Sequence, residues 1–204
     1  VKKICAFFLS MRRFSERLQK RDFQVHYLRL DDPQNFQNLE DNLNYFMTKL
    51  KCRRFEWQLP DEWRLDQQLR NFFSSCDFEG GPVDSEHFLT GRSEVEVFFE
   101  GKKQYLMENF YRDLRRRENI LMEGTKPIGG KWNYDAENRK AYDGSVPFSK
   151  GPIPKNNVQE ILTMLGTSEV SMIGKVELEE LNWSVDRNQA LEQLEWFCTE
   201  ALPH

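Results

Sequence analysis

Segments with helical periodicity alternate with short segments of β-forming residues along the first 80 residues of the chain. The opening segment repeats apolar side chains at steps of three and four from Ile4 to Leu18, which predicts an amphipathic helix. The β-rich segment FQVHYLRL at 23–30 follows and is closed by the turn sequence DDP. Two further strands are predicted at 53–59 and 76–79.

Helices are predicted between these strands, over 36–50 and over 62–73, because both segments carry apolar residues at steps of three and four. Strands that alternate with helices pair in parallel and are covered by the helices. The sequence therefore predicts an α/β fold, a Rossmann-like parallel sheet with flanking helices. Such a sheet normally begins with a strand, so at least one leading strand is expected upstream of residue 1.

The second half of the chain has a different character. A long helix ends in Arg-Arg-Arg-Glu at 115–118, and a segment rich in glycine and proline without sustained periodicity follows. Helical periodicity returns near Val158 and again after Asp186, a predicted N-cap. We therefore predict three parts: an α/β domain with its exit helix at 1–118, a long interdomain linker at 119–155, and the first helices of an all-α domain at 156–204.

Charge and cysteine usage limit the classes of function. The formal net charge is −4, which argues against a phosphate-binding surface spread over the whole chain but leaves room for a local basic patch. The four cysteines lack the spacing of metal ligands, so no metal site is predicted. No apolar run reaches the roughly 20 residues that span a bilayer, and a cytoplasmic protein with reduced thiols is expected.

The helix before the linker carries three arginines on one face. Arg112, Arg115 and Arg116 are spaced i, i+3, i+4. One interpretation is a contact with nucleic-acid phosphates. The other is a solvated face whose charges pair with acidic neighbours such as Glu108.

A second candidate site is the turn PDEWR at 60–64, which follows a predicted strand. Parallel sheets bind ligands beyond the carboxyl ends of their strands, so Glu62 and Trp63 are candidate contacts for a heterocyclic chromophore. The alternative is that Glu62 is an acid favoured at a helix N-terminus and Trp63 an anchor in the core.

The segment KPIGGKWNYDAENRK at 126–140 is too broken for a helix and too polar for a buried strand. Its glycines permit positive φ, its asparagines and aspartate suit local hydrogen bonds, and its two aromatic residues suit anchors. It contains no pairing of nucleophile and base. We interpret it as a strap that connects two domains.

This segment resembles KPxGGxWNxDxENR, the hallmark of the photolyase-related family of iron–sulfur bacterial cryptochromes and (6-4) photolyases. The opening helix and strand, PDEWRL at 60–65, the helix at 102–124 and the segment NWSVDRNQALEQLEWFCTEALPH at 182–204 also resemble that family, in the same order. The hallmark positions in this chain are Lys126, Pro127, Gly129, Gly130, Trp132, Asn133, Asp135, Glu137, Asn138 and Arg139.

The resemblance implies an α/β domain that binds a lumazine-type antenna, followed by a helical domain that holds FAD and a four-cysteine 4Fe-4S cluster. It implies light-driven repair of (6-4) photoproducts in DNA by the intact protein. The alternatives to a repair enzyme are a blue-light-sensing cryptochrome without repair activity and a non-catalytic interaction module.

By the same resemblance the chain stops before the flavin-binding helices, and Cys198 is not a cluster ligand. We therefore expect an inactive fragment that binds none of these cofactors by itself. The apolar faces of its last helices are expected to pack on the α/β part or on another copy.

Overall fold

The computed structural model of the protein describes residues 1–136, 139, 141, 144, 150–168, 170–175 and 181–202. The chain divides into two compact units: the terminal unit, Val1–Arg53 with Gly144–His204, and the central unit, Arg54–Asp143. The domain boundaries inferred from the sequence stay a prediction.

The regular elements of the described residues are helices and short strands. They are α1 Lys2–Gln19, α2 Leu39–Lys49, β1 Arg54–Gln58, α3 Trp63–Ser74, β2 Glu79–Val83, α4 Glu94–Phe99, α5 Met107–Arg117, β3 Met122–Glu123, β4 Lys126–Pro127, α6 Gln159–Thr167 and α7 Arg187–Trp196. A 3-10 turn at Ile128–Gly130 follows β4, and a π-helical turn at Phe197–Ala201 continues α7.

The central unit contains a parallel sheet of two strands. β1 pairs with β2 along its whole length, and α3 connects them. The ring of Phe72 in α3 meets that of Phe55 in β1 edge-on at 5.7 Å, and both Phe72 and Trp57 are buried. This β1–α3–β2 unit confirms the prediction of an α/β fold with a parallel sheet and flanking helices.

The position of β2 differs from the prediction of a strand at 76–79. The strand begins at Glu79 and includes Gly80, Gly81 and Pro82, which lie beyond the predicted strand. Gly80 lies opposite Phe55, and a Cβ at that position would collide with the Phe55 carbonyl oxygen. A glycine therefore allows the close approach of the two backbones, so here it belongs inside the strand.

The strand predicted at 23–30 is wrong. Residues 23–29 form neither helix nor strand in the structure, and Leu30 begins a turn. β-forming side chains become a strand only where a neighbouring backbone accepts and donates hydrogen bonds, and the segment has no such ladder among the described residues. Instead, Leu30 packs against the core of the terminal unit.

The core of the terminal unit lies between α1 and α6. Cys5 and Leu9 of α1 pack with Ile161 and Leu165 of α6 and with Leu181, all of them buried. Burial raises the pKa of the Cys5 thiol. The apolar side chains of α6 therefore have partners within the chain, as the sequence led us to expect.

An ion-pair network joins the same elements at the edge of this core. Glu160 of α6 accepts hydrogen bonds from Arg12 of α1 at 2.5 Å and from Arg29 at 2.7 Å. Arg29 also forms a bidentate pair with Asp31, at 2.9 and 3.0 Å. The hydrogen bonds from Arg29 hold the pKa of Glu160 and that of Asp31 below their ordinary values.

A buried amide network joins the segment before α6 to α7. Asn156 is 5% exposed, and its side chain donates to the Trp183 carbonyl at 2.9 Å. Its carbonyl oxygen accepts from the Gln189 amide at 3.0 Å. As predicted, Asp186 caps α7, because its carboxylate accepts from the Gln189 backbone amide.

The apolar face of α7 is open, in contrast to that of α6. Leu191 and Leu194 are 46% and 56% exposed, and Leu202 beyond the helix is 63% exposed. The helical periodicity after Asp186 predicts that these three side chains point inward, and within the described residues that is wrong for all three. Self-association through this face stays a prediction.

Candidate functional site: the arginine face of helix α5 and Trp132

Helix α5 presents its arginines to a tryptophan of the hallmark segment. The guanidinium carbons of Arg112, Arg115 and Arg116 lie 5.4, 5.4 and 4.6 Å from the centre of the Trp132 ring. Guanidinium groups at such distances are attracted by the electron-rich face of an indole. The structure thus brings together two sets of residues that the sequence singled out separately.

Arg115 holds the chain that leaves α5. Its guanidinium donates to three backbone carbonyls: Ile120 at 3.2 Å, Leu121 at 2.7 Å and Trp132 at 3.1 Å. The first two carbonyls lie in the turn after the helix, and the third lies beyond the β3–β4 hairpin. All three nitrogens of the group are therefore used to fold the segment back on α5.

Glu108 supplies the carboxylate of this cluster. It accepts from Arg112 one helical turn later, at 2.9 Å, and from the side-chain amide of Asn133 at 3.0 Å. Glu108 therefore ties Trp132's neighbour to the helix, a contact that charge spacing on the helix alone does not reveal.

The side chain of Arg116 differs from those of its neighbours in having no hydrogen bond or ion pair among the described residues. Its side chain is exposed, and its contact in the structure is the ring of Trp132. The next residue, Arg117, is paired with Glu94 at 2.6 Å and with Glu118 at 3.3 Å. With respect to the residues that the structure describes, Arg116 is the one of these two adjacent cations whose donors are available for a ligand.

The glycine part of the hallmark segment is shaped by one aromatic residue. Gly129 has φ of 75°, and a Cβ there would collide with the Tyr134 hydroxyl, which donates to the Gly129 carbonyl at 3.5 Å. Only glycine satisfies both requirements without strain. The neighbouring Gly130 also has a positive φ, of 72°.

The remaining hallmark residues have separate surroundings. Lys126 and Pro127 form β4, which pairs with β3, and Pro127 is buried. Asp135 and Arg139 are exposed. Glu137 and Asn138 lie outside the described residues.

The second predicted site lies where β1 ends and α3 begins. Glu62 is the N-cap of α3 and accepts from the Leu65 amide at 2.8 Å and from Arg64 at 2.7 Å. The hydrogen bond from Arg64 lowers the pKa of Glu62. Both carboxylate oxygens are therefore engaged locally, as the helix-terminus interpretation predicts.

Trp63 is 72% exposed, so the interpretation of this residue as a core anchor is wrong. Trp63 and Glu62 do not by themselves form a pocket that would enclose the planar ring of a chromophore. Antenna contact at this turn stays a prediction, and it would require Glu62 to exchange a present partner.

Within the residues that the structure describes, no cluster of three or more histidine, cysteine or acidic side chains is arranged to hold a metal ion. Cys5 is buried and Cys198 is exposed. In the same part of the chain, no helix combines the length and the apolar character needed to cross a membrane.

The parallel sheet with its flanking helices makes this an α/β protein of Rossmann-like arrangement. Its segment of glycines and Trp132 is folded back on the arginine-bearing helix α5. The model of the family described as deoxyribodipyrimidine photo-lyase-related protein matches residues 1–183. The chain belongs to this family.

Two relatives show how far the similarity extends. The chain is 30% identical over 203 residues to a (6-4) photolyase of Agrobacterium fabrum, an alignment that covers 98% of this chain and 40% of the relative. It is 28% identical over 94 residues to an uncharacterized protein of Acanthamoeba polyphaga mimivirus, covering 44% of this chain and 48% of that protein. Each alignment thus covers less than half the length of the relative.

Proposed function

We propose that the natural protein carrying this chain is a light-dependent photolyase that repairs (6-4) photoproducts in DNA. The observation that carries the proposal is the similarity to a (6-4) photolyase along 98% of the chain, together with the family match over residues 1–183. A likeness sustained over several separate blocks is more specific than one shared motif.

For the intact protein we propose FAD, a lumazine-type antenna and a 4Fe-4S cluster. When bound, reduced flavin supplies the electron that light transfers to the lesion. The described residues of this chain contribute the α/β unit and the segment that Arg115 folds back on α5. We propose that the flavin and the cluster are bound by parts of the natural protein other than these 204 residues.

The test uses the natural full-length protein and a duplex oligonucleotide with one (6-4) photoproduct. Blue light is expected to restore the original thymines, as measured by chromatography of the digested DNA, and a dark sample is the control. Lesions that persist under light, while the bound flavin is still photoreduced, would refute repair and would favour a photosensory cryptochrome.

A further inference from the structure

We propose that Arg116, oriented by the ring of Trp132, contacts a phosphodiester group of bound nucleic acid. This inference rests on the proposed function, since it takes DNA as the ligand, and it names one residue and one chemical group of the binding surface. Three features of the described residues support it: the orientation of Arg116, the charge around it, and the different engagement of its neighbours.

The position of the Arg116 guanidinium follows from its contact with the ring of Trp132. The Arg116 guanidinium carbon lies 4.6 Å from the centre of the Trp132 ring, nearer than that of either other arginine. An attraction to an aromatic ring does not use up the N–H groups along the edge of a planar guanidinium. That edge matches two phosphate oxygens in a bidentate contact, and a side chain already held in place loses less entropy on binding.

The charge around Trp132 favours an anion. Three guanidinium groups surround the ring, and in the described part of the chain Glu108 is the carboxylate paired with one of them. The guanidinium of Arg112 is therefore balanced by a carboxylate, and those of Arg115 and Arg116 have no carboxylate partner among the described residues. A phosphate beside Arg116 would reduce the repulsion among these cations.

The neighbouring arginines are already engaged. Arg115 donates to three backbone carbonyls, and Arg112 donates to Glu108. Arg117 is paired with Glu94 and Glu118. Of the three arginines that the sequence suggested as nucleic-acid contacts, Arg116 is the one whose side chain has no hydrogen-bond partner among the described residues. Arg115 holds the backbone of Trp132, and Arg112 binds Glu108, which also binds Asn133.

The test compares two adjacent charge deletions in the natural full-length protein. Arg116→Gln and the matched control Arg117→Gln each remove one cation, and Arg116→Lys keeps the charge without the planar group. Binding of a fluorescein-labelled DNA duplex is measured in the dark by anisotropy over a series of salt concentrations. Light-driven repair at saturating DNA is measured on the same variants.

Arg116→Gln is expected to weaken binding about fivefold to tenfold and to reduce the slope of log affinity against log salt by about one phosphate contact. Arg116→Lys is expected to restore part of this loss, and Arg117→Gln to change affinity by less than about twofold. Equal losses for Arg116→Gln and Arg117→Gln, or no loss for either, would overturn the inference.

The two proposals fail in different ways. If Arg116→Gln binds DNA like the wild type while repair under light continues, the phosphate contact is refuted and the photolyase function stands. If DNA affinity depends on Arg116 but the wild type repairs no lesion, the phosphate contact stands and the photolyase function is refuted. A mononucleotide that displaces the duplex at concentrations well below one millimolar would also overturn the inference, because it would identify a small-molecule phosphate site.

Discussion

Asn156 is expected to be a principal polar determinant of stability in the terminal unit. Its side chain donates to the carbonyls of Leu181 and Trp183 and exchanges hydrogen bonds with the amide of Gln189. Asn156→Leu keeps a similar volume and removes both polar atoms. The substitution therefore tests the hydrogen bonds with little change in packing.

The magnitude follows from the partners that the substitution leaves unsatisfied. The Leu181 carbonyl keeps its bond from the Asn156 backbone amide at 3.3 Å, so it contributes little. The Trp183 carbonyl and the Gln189 amide each lose a partner at a site that is partly shielded from water. At about 1–1.5 kcal/mol for each such group, the expected loss is about 2–3 kcal/mol in the free energy of unfolding.

Urea unfolding followed by far-UV circular dichroism measures this loss, and hydrogen exchange of the α7 amides localises it. The matched control is Asn182→Ala, an exposed asparagine for which the described structure gives no side-chain hydrogen bond, and its expected effect is within about 0.5 kcal/mol. In a double-mutant cycle, Asn156→Leu and Gln189→Leu together should cost about 1 kcal/mol less than their sum. Strict additivity, or a loss below about 0.5 kcal/mol for Asn156→Leu, would refute this reasoning.

Three further predictions concern the same unit. Because Arg29 lowers the pKa of Glu160, the ion pairs of Glu160 stabilise the fold above about pH 4.5 and are lost as the pH falls through the lowered pKa. Glu160→Gln should therefore be less stable than the wild type at pH 7 and should lose less stability on acidification, as urea unfolding at a series of pH values would show. An equal loss of stability in both proteins as the pH falls would contradict this. Gly151→Ala places a Cβ against the indole of Trp196 and should cost about 1–3 kcal/mol in thermal unfolding, whereas an unchanged melting temperature would argue against the contact. Burial and a raised pKa should protect the Cys5 thiol from iodoacetamide at pH 8 until urea unfolds the chain. Rapid alkylation of Cys5 in the folded protein, detected by peptide mass spectrometry, would disprove this.

Local sequence patterns determined much of the secondary structure. Apolar periodicity predicted the helices, and the N-cap role of Asp186 was confirmed because capping depends on residues within one turn. The pattern around Trp57 predicted β1, and the alternation of helix and strand predicted the parallel α/β arrangement. These features depend on interactions over a few residues, which a sequence displays directly.

Tertiary contacts decided the rest. Residues 23–30 have β-forming side chains, but no backbone among the described residues pairs with them, whereas Gly80 lies within a strand because Phe55 approaches it closely. The sequence placed the arginines of α5 on one face. Only the folded chain shows that Arg115 binds carbonyls up to 17 residues away and that the Arg116 side chain, which lies over Trp132, has no hydrogen bond within the described part of the chain. Contacts between residues far apart in sequence depend on how the intervening chain turns, so helical spacing identified the candidates and the fold assigned their roles.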